Sequence, residues 1–115
     1  MQVPKPTDAD KARFRSLVPE APGVEVKPMF GNLGGFVNGN MFMGLFGPDI
    51  GVKLAPAEAD ELRAVEGAGP FGPPERPMAG WVTLAPGQLG TAEGARWIGL
   101  ALAHVQALPP KKAKA

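Results

Sequence analysis

The chain has 115 residues, which is long enough for one hydrophobic core and too short for two. It contains no cysteine, so disulfide bonds and thiolate metal sites are excluded. The net charge is +1. Four of the twelve basic residues lie near the ends, namely Lys5, Lys111, Lys112 and Lys114, so the body of the chain has eight basic and eleven acidic residues. This balance disfavours a basic nucleic-acid-binding face on the body.

The first six residues lack the apolar segment of a signal peptide, and no later apolar run has the length of a membrane span. We therefore expect a soluble cytoplasmic protein. We interpret residues 1–6 as an N-terminal arm, residues 7–109 as one folded domain and residues 110–115 as a basic flexible tail.

Thr7 and Asp10 have the spacing of a helix capping box, and a short apolar stripe follows them, so the first element is predicted to be a helix. Residues 24–30 begin with alternating apolar and charged side chains, which is typical of a strand with one wet face. Asn38-Gly39 lies between two apolar runs and is a strong hairpin signal, because both residues tolerate a positive φ. Strands are therefore predicted at residues 35–38 and 40–46, with a fourth at residues 50–54.

Pro56 is well placed to begin a second helix that ends at Gly67. Residues 69–74 are rich in proline and glycine and can hold neither a helix nor a central strand, whereas residues 78–84 are predicted to form the final strand. Thr91 can cap a C-terminal helix, whose predicted inward residues are Ala95, Ile98, Leu102 and Val105, with Trp97, Leu100 and Leu108 beside them. The predicted fold class is α+β: two layers, with helices on one face of a five-stranded antiparallel sheet, in the order helix, four strands, helix, strand, helix.

The strand at residues 40–46 has apolar side chains in both alternating sets. Strict alternation would put Met41, Met43 and Leu45 on one face and Phe42, Gly44 and Phe46 on the other. The second face of this strand therefore requires a cover. Two explanations stay open, namely the proline- and glycine-rich segment around Phe71 and Met78, or a homodimer or partner surface.

No catalytic constellation is visible, and we expect neither enzymatic activity nor a cofactor. Gly31, Gly34 and Gly35 are followed by a strand and not by a helix, which disfavours a phosphate loop. Instead, Gly31 and Gly34 are interpreted as a turn or bulge that lets another backbone or an aromatic side chain approach closely. Residues 34–37 resemble part of an RNA-binding strand, but its leading basic and final aromatic residues are absent, so core packing of Phe36 is favoured. His104 is the only histidine and is interpreted as a partly buried structural residue.

The central part of the chain resembles the signature of the TfoX N-terminal domain family, also called TfoX/Sxy. The residues that carry the resemblance are Met29, Phe30, Gly31, Gly34, Phe36, Asn38, Gly39, Met41 and Phe42, and Arg76-Pro77-Met78 and the end of the last helix also fit. The resemblance implies a two-layer α+β domain similar to secretion chaperones, here as a single-domain member. It also implies a bacterial regulator of natural competence that acts with the transcription machinery.

Three functional hypotheses follow from the residues and the resemblance. The leading one is a non-catalytic interaction or regulatory domain with a protein partner, or a second copy of itself, bound through a surface of Met41, Met43, Phe46, Phe71 and Trp81. The second is a regulator that contacts nucleic acid only through the tail residues Lys111, Lys112 and Lys114. The third is a protein with an apolar ligand pocket lined by Met29, Met41, Met43, Phe46, Phe71 and Trp81.

Overall fold

The computed structural model describes residues 5–29, 31–72 and 80–109. Within these ranges the chain forms three α-helices and six strands, and a single 3₁₀ turn covers Pro86–Gln88. The elements are α1 (Asp8–Leu17), β1 (Val24–Met29), β2 (Asn32–Val37), β3 (Asn40–Phe46), β4 (Asp49–Lys53), α2 (Pro56–Arg63), β5 (Gly69–Pro70), β6 (Trp81–Thr83) and α3 (Ala92–Gln106).

The strands form one antiparallel sheet in the order β1-β2-β3-β4-β6-β5. The α+β class and the antiparallel sheet predicted from the sequence are therefore confirmed, but the predicted count of five strands is one too low. The additional strand is β5, which has two residues and lies at an edge of the sheet. Pro70 can occupy this position because an edge strand does not need every backbone donor.

Helix α1 begins with the predicted capping box. The Thr7 hydroxyl accepts a hydrogen bond from the Asp10 N–H at 3.0 Å, and the Asp10 carboxylate accepts one from the Thr7 N–H at 2.9 Å. This pair satisfies two backbone donors that the first turn of a helix would otherwise leave without a partner. The only fully buried side chain of the helix is Phe14, which anchors α1 to the sheet.

The capping box predicts a pH-dependent contribution to stability. The hydrogen bond from the Thr7 backbone, assisted by the Thr7 hydroxyl and by Arg13, lowers the pKa of Asp10. A carboxylate whose pKa is lowered by folding stabilises the fold above its unfolded-state pKa, and this contribution is lost as the pH falls through the folded-state pKa. In urea titrations at a series of pH values, we expect Asp10→Ala to be less stable than the wild type near neutral pH. The difference should shrink in acid, and a difference independent of pH would contradict this explanation.

Three tight turns connect the first four strands into a meander. Gly31 has a φ of +81° in the turn between β1 and β2, and Asn38 and Gly39 have φ values of +52° and +83° between β2 and β3. The positive φ at both residues confirms the hairpin turn predicted from Asn38-Gly39. The second strand begins at Asn32, three residues earlier than predicted, so all six of its residues pair with β1 without an irregularity.

A β-bulge in β3 changes which side chains share a face. Gly35 pairs with Met43, but the next residue, Phe36, pairs with Met41, so Phe42 has no opposite residue on β2. The extra residue shifts the alternation, and both Phe42 and Met43 are completely buried on the helix side of the sheet. The prediction that Met41, Met43 and Leu45 share a face was therefore wrong, because it assumed strict alternation.

The buried side chains of all three helices join the same core cluster as one face of the sheet. Helix α3 contributes Gly94, Trp97, Ile98, Ala101 and Val105, which recur at helical spacing. Ala95 is exposed and Leu102 is partly exposed, so the predicted inward face was rotated relative to the one observed. Helix α2 buries Ala59 and Leu62 and ends at Arg63, before the predicted end at Gly67.

Candidate functional site

A row of three glycines crosses the face of the sheet that points away from the helices. Gly34 in β2 pairs with Gly44 in β3, and Gly44 pairs with Gly51 in β4. Because glycine has no side chain and paired residues project to the same face, the three positions form a trough across the middle of the sheet. We call this feature the glycine trough.

Phe71 fills one end of the glycine trough. A Cβ atom on Gly51 would overlap the Phe71 ring, and a Cβ on Gly44 would lie 3.3 Å from its Cζ. The ring is 4 % exposed, stacks on Trp81 with centroids 5.4 Å apart and meets Phe46 edge-on at 6.1 Å. These aromatic contacts form a small second core on the face opposite the helices.

Strand β5, which ends directly before Phe71, is fixed by few polar contacts. Gly69 and Pro70 pair with Thr83 and Val82, and the Thr83 hydroxyl donates a hydrogen bond to the Pro70 carbonyl at 2.8 Å. Over Gly44 in β3 and Gly51 in β4, the second face of the sheet is therefore covered by Phe71 of the same chain, which is the first of the two explanations given above. Met78, which was also expected in this cover, lies outside the described residues.

The other end of the glycine trough lies beneath Phe36 and Met41. A Cβ on Gly34 would approach the Phe36 ring to 2.8 Å and the Met41 sulfur to 2.9 Å, so the predicted role of Gly34 in a close aromatic contact is confirmed. The Lys27 ammonium group lies 5.5 Å from the centroid of the Phe36 ring, within the range of a cation–π interaction. It also forms an exposed ion pair with Glu25, with 3.3 Å between the nitrogen and the oxygen.

Phe36, Met41 and Phe46 remain partly exposed above the glycine trough, and we call these three side chains the Met/Phe face. The sequence-based interaction surface is only partly reproduced by it. Met41 and Phe46 do lie at the surface, whereas Phe71 and Trp81 are buried on the same face of the sheet, and Met43 is completely buried on the opposite face. The six residues predicted to line a ligand pocket do not share one face of the sheet, because Met43 is completely buried on the helix side.

The signature residues have structural roles in the meander. Gly31, Asn38 and Gly39 form turns, Gly34 permits close packing, and Phe42 fills the main core. Met29 ends β1 and is partly exposed, whereas Phe30 lies outside the described residues. The signature therefore specifies how three strands and two turns fit together, and Phe36 and Met41 are its members on the Met/Phe face.

Other polar residues have local roles. His104 is partly exposed in the last turn of α3, and the hydroxyl of Ser16 donates a hydrogen bond to the Arg13 carbonyl at 2.7 Å. Over residues 5–29, 31–72 and 80–109, no group of three or more histidine and carboxylate side chains has the arrangement of a metal site. The buried indole N–H of Trp97 has no hydrogen-bond acceptor within these ranges.

The sequence model of the TfoX N-terminal domain family matches residues 16–105, from the end of α1 to the last turn of α3. This range covers more than half of the chain and includes every described strand. The chain belongs to the TfoX N-terminal domain family. Searches of curated proteins and of solved structures returned no match.

In this TfoX N-terminal domain, the glycine trough is the feature that sequence reasoning missed. The sequence contained only half of the signal: the regular hairpin of β3 and β4 aligns Gly44 with Gly51, but Gly34 lies opposite Gly44 only because of the bulge at Phe42. No helix in the described part of the chain has the length and apolar character needed to cross a membrane. The lysines of the basic tail lie outside the described residues, so the nucleic-acid hypothesis stays a prediction.

Proposed function

We propose that this TfoX N-terminal domain is a non-catalytic regulatory domain of the bacterial cytoplasm that binds a protein partner through the Met/Phe face. By analogy with the named members of its family, the proposed process is natural competence and its transcriptional control. The observation that carries the proposal is a group of partly exposed Met and Phe side chains on the sheet face that no described helix covers.

The chemistry of this face suits contact with another protein. Methionine is flexible and polarizable and adapts to different partner surfaces, while aromatic side chains contribute much of the binding energy of an interface. Charged residues on the same face, Lys27 in β1 and Asp49 in β4, would supply a polar rim. Phe71, which stacks on Trp81, packs edge-on against Phe46, so a partner would meet a surface whose shape is already partly formed.

A complementation experiment tests this proposal. In a bacterium that naturally contains the gene, deletion is expected to lower the frequency of natural transformation and the level of competence transcripts. The wild-type gene should restore both, but the double variant Phe36→Gln/Met41→Gln should restore at most about one tenth, because truncating central contacts weakens binding by tenfold or more.

The matched control is Ala95→Gln/Ala103→Gln, which adds two polar amides to exposed positions of α3 in the opposite layer. This control should restore both readouts fully, and thermal unfolding should show that both double variants are folded. A deletion without any effect would refute the competence role. Full complementation by the Phe36→Gln/Met41→Gln variant would refute the role of the Met/Phe face.

A further inference from the structure

Strand β1 forms an edge of the sheet. It pairs with β2 along one side through all six of its residues, from Val24 opposite Val37 to Met29 opposite Asn32. Among residues 5–29, 31–72 and 80–109, no strand pairs with its other side. Its outward backbone groups are therefore a template for pairing with another extended chain.

The hydrogen-bond pattern identifies which backbone groups face outward. The Asn38 N–H donates to the Gly23 carbonyl at 3.2 Å, and this pair continues the register of β1 with β2. Since hydrogen-bonded and non-bonded pairs alternate, Glu25 and Lys27 direct their backbone groups toward β2, while Val24, Val26 and Pro28 direct theirs outward. Proline at an outward position is consistent with this pattern, because it has no N–H to donate.

Only the middle of the outward edge offers both a donor and an acceptor. Pro28 has no N–H, and the Val24 N–H already donates to the Ala21 carbonyl at 3.1 Å. Among the described residues, none bonds to the outward N–H or carbonyl of Val26, which lies between them, so both groups are available for a partner strand. An antiparallel partner gains the most hydrogen bonds when one of its own residues with both groups lies opposite Val26.

The sequence of β1 is complementary to itself in this register. We propose that β1 pairs antiparallel with β1 of a second copy of this chain, with the two Val26 residues opposite each other and a two-fold axis between them. Glu25 of each copy then lies opposite Lys27 of the other, which gives two attractive cross-strand pairs. Moving the strands to the adjacent register on either side places Glu25 opposite Glu25 or Lys27 opposite Lys27, so the charges select the central register.

The side chains at this edge are accessible for such pairing. Lys27 is 54 % and Glu25 is 65 % exposed, and their present ion pair within one strand lies in solvent, where it contributes little. On the helix side, an open groove of about 350 Å³ lies beside the edge and is lined by residues that include Val18, Val24 and Val26. In the proposed dimer Val24 and Val26 of the second copy project to this same side, next to the groove.

The proposed dimer goes beyond the proposed function and does not depend on it. The partner strand adds at the edge of the sheet, whereas Phe36, Met41 and Phe46 lie on a broad face of β2 and β3. Pairing through β1 would therefore join two sheets into one and present two Met/Phe faces on the same side. A failure of the complementation test would leave the dimer unaffected, and the reverse is also true.

Charge exchange tests the pairing and its register together. In sedimentation equilibrium from micromolar to millimolar protein, wild-type protein should dimerise. Lys27→Glu and Glu25→Lys should each raise the dimer dissociation constant by at least about tenfold, because each converts both attractive pairs into repulsive ones. An equimolar mixture of these two variants should form a heterodimer, and the exchanged double variant Glu25→Lys/Lys27→Glu should dimerise like the wild type.

The double variant is the matched control, since it has the same composition and net charge as the wild type. A backbone variant provides a second test: Val26→Pro removes the two central donors but no hydrogen bond to β2, so it should be folded and monomeric. A wild-type protein that is monomeric at millimolar concentration would overturn the proposal. A dimer that is insensitive to the charge exchange or to Val26→Pro would overturn it as well.

Discussion

Gly94→Ala is expected to destabilise the protein by roughly 2 kcal/mol or more, although alanine is the better helix former. Gly94 lies in the first turn of α3, and a Cβ atom there would overlap the Gln88 carbonyl oxygen and lie 2.9 Å from its carbon. Gln88 cannot easily move away. Its side-chain oxygen accepts a hydrogen bond from the Ala85 N–H at 2.9 Å, and its carbonyl accepts one from the Thr91 hydroxyl at 2.6 Å.

Gly99→Ala is the matched control for this prediction. Gly99 lies in the same helix, is exposed and has no atom near the position of a Cβ. There the substitution should raise the free energy of unfolding by up to about 1 kcal/mol, because it only removes the conformational freedom of glycine. Urea denaturation of both variants checks the prediction. Equal changes in the two variants would show that the contact between Gly94 and Gln88 does not restrict residue 94.

Gly51→Ala should destabilise the protein by about 1–3 kcal/mol, because its methyl group would displace the Phe71 ring from the glycine trough. The displaced ring would lose its stacking on Trp81 and its edge contact with Phe46. Gly69→Ala is a control with the same change in a strand, since nothing lies within 4 Å of that Cβ position. Its effect should be much smaller.

A double-mutant cycle with Phe71 separates overpacking from other effects of the substitution. Phe71→Ala alone should cost about 3–5 kcal/mol, as for other buried aromatic side chains. In that background Gly51→Ala should be neutral or stabilising, because the clash is gone and alanine has a higher strand propensity than glycine. If Gly51→Ala costs the same with and without the Phe71 ring, the ring is not what requires glycine at residue 51.

The parts of the fold that were predictable from the sequence are those decided by neighbouring residues. The capping box of Thr7 and Asp10 and the turn at Asn38-Gly39 depend on interactions within four residues, and both are present as expected. Proline at the start of α2 is also a local signal, because its fixed φ suits the first turn of a helix. These signals placed the helices and the hairpins, and with them the α+β class and the antiparallel sheet.

The parts that were missed depend on contacts between distant residues. The bulge at Phe42 is visible only when β3 is paired with β2, and strict alternation therefore put Met41 on the same face as Met43 and Leu45. In α3 the sequence contains two overlapping apolar stripes, one through Ala95 and one through Gly94 and Trp97. The large Trp97 ring and the close approach of Gly94 to Gln88 decide between them, and neither is evident from periodicity.

The same limit applies to the candidate site. The Met and Phe residues of β3 were recognised as requiring a cover, but the sequence did not show that Phe71 would reach across to Gly44 and Gly51. Phe71 is separated from Gly51 in the sequence by helix α2 and β5, and it lies over the sheet because β5 pairs with β6 and β6 pairs with β4. Without that connection, five apolar residues on two different faces were grouped as one surface.

Because the protein has two separate cores, the unfolding of each can be observed by intrinsic fluorescence. The chain has two tryptophans and no tyrosine. Trp97 belongs to the core beneath the helices, while Trp81 stacks on Phe71 on the opposite side of the sheet. Each core therefore contains its own intrinsic fluorophore, and replacing one tryptophan with phenylalanine leaves an emitter that reports on the other core alone. The order in which the two layers loosen during unfolding can be followed without attaching any dye.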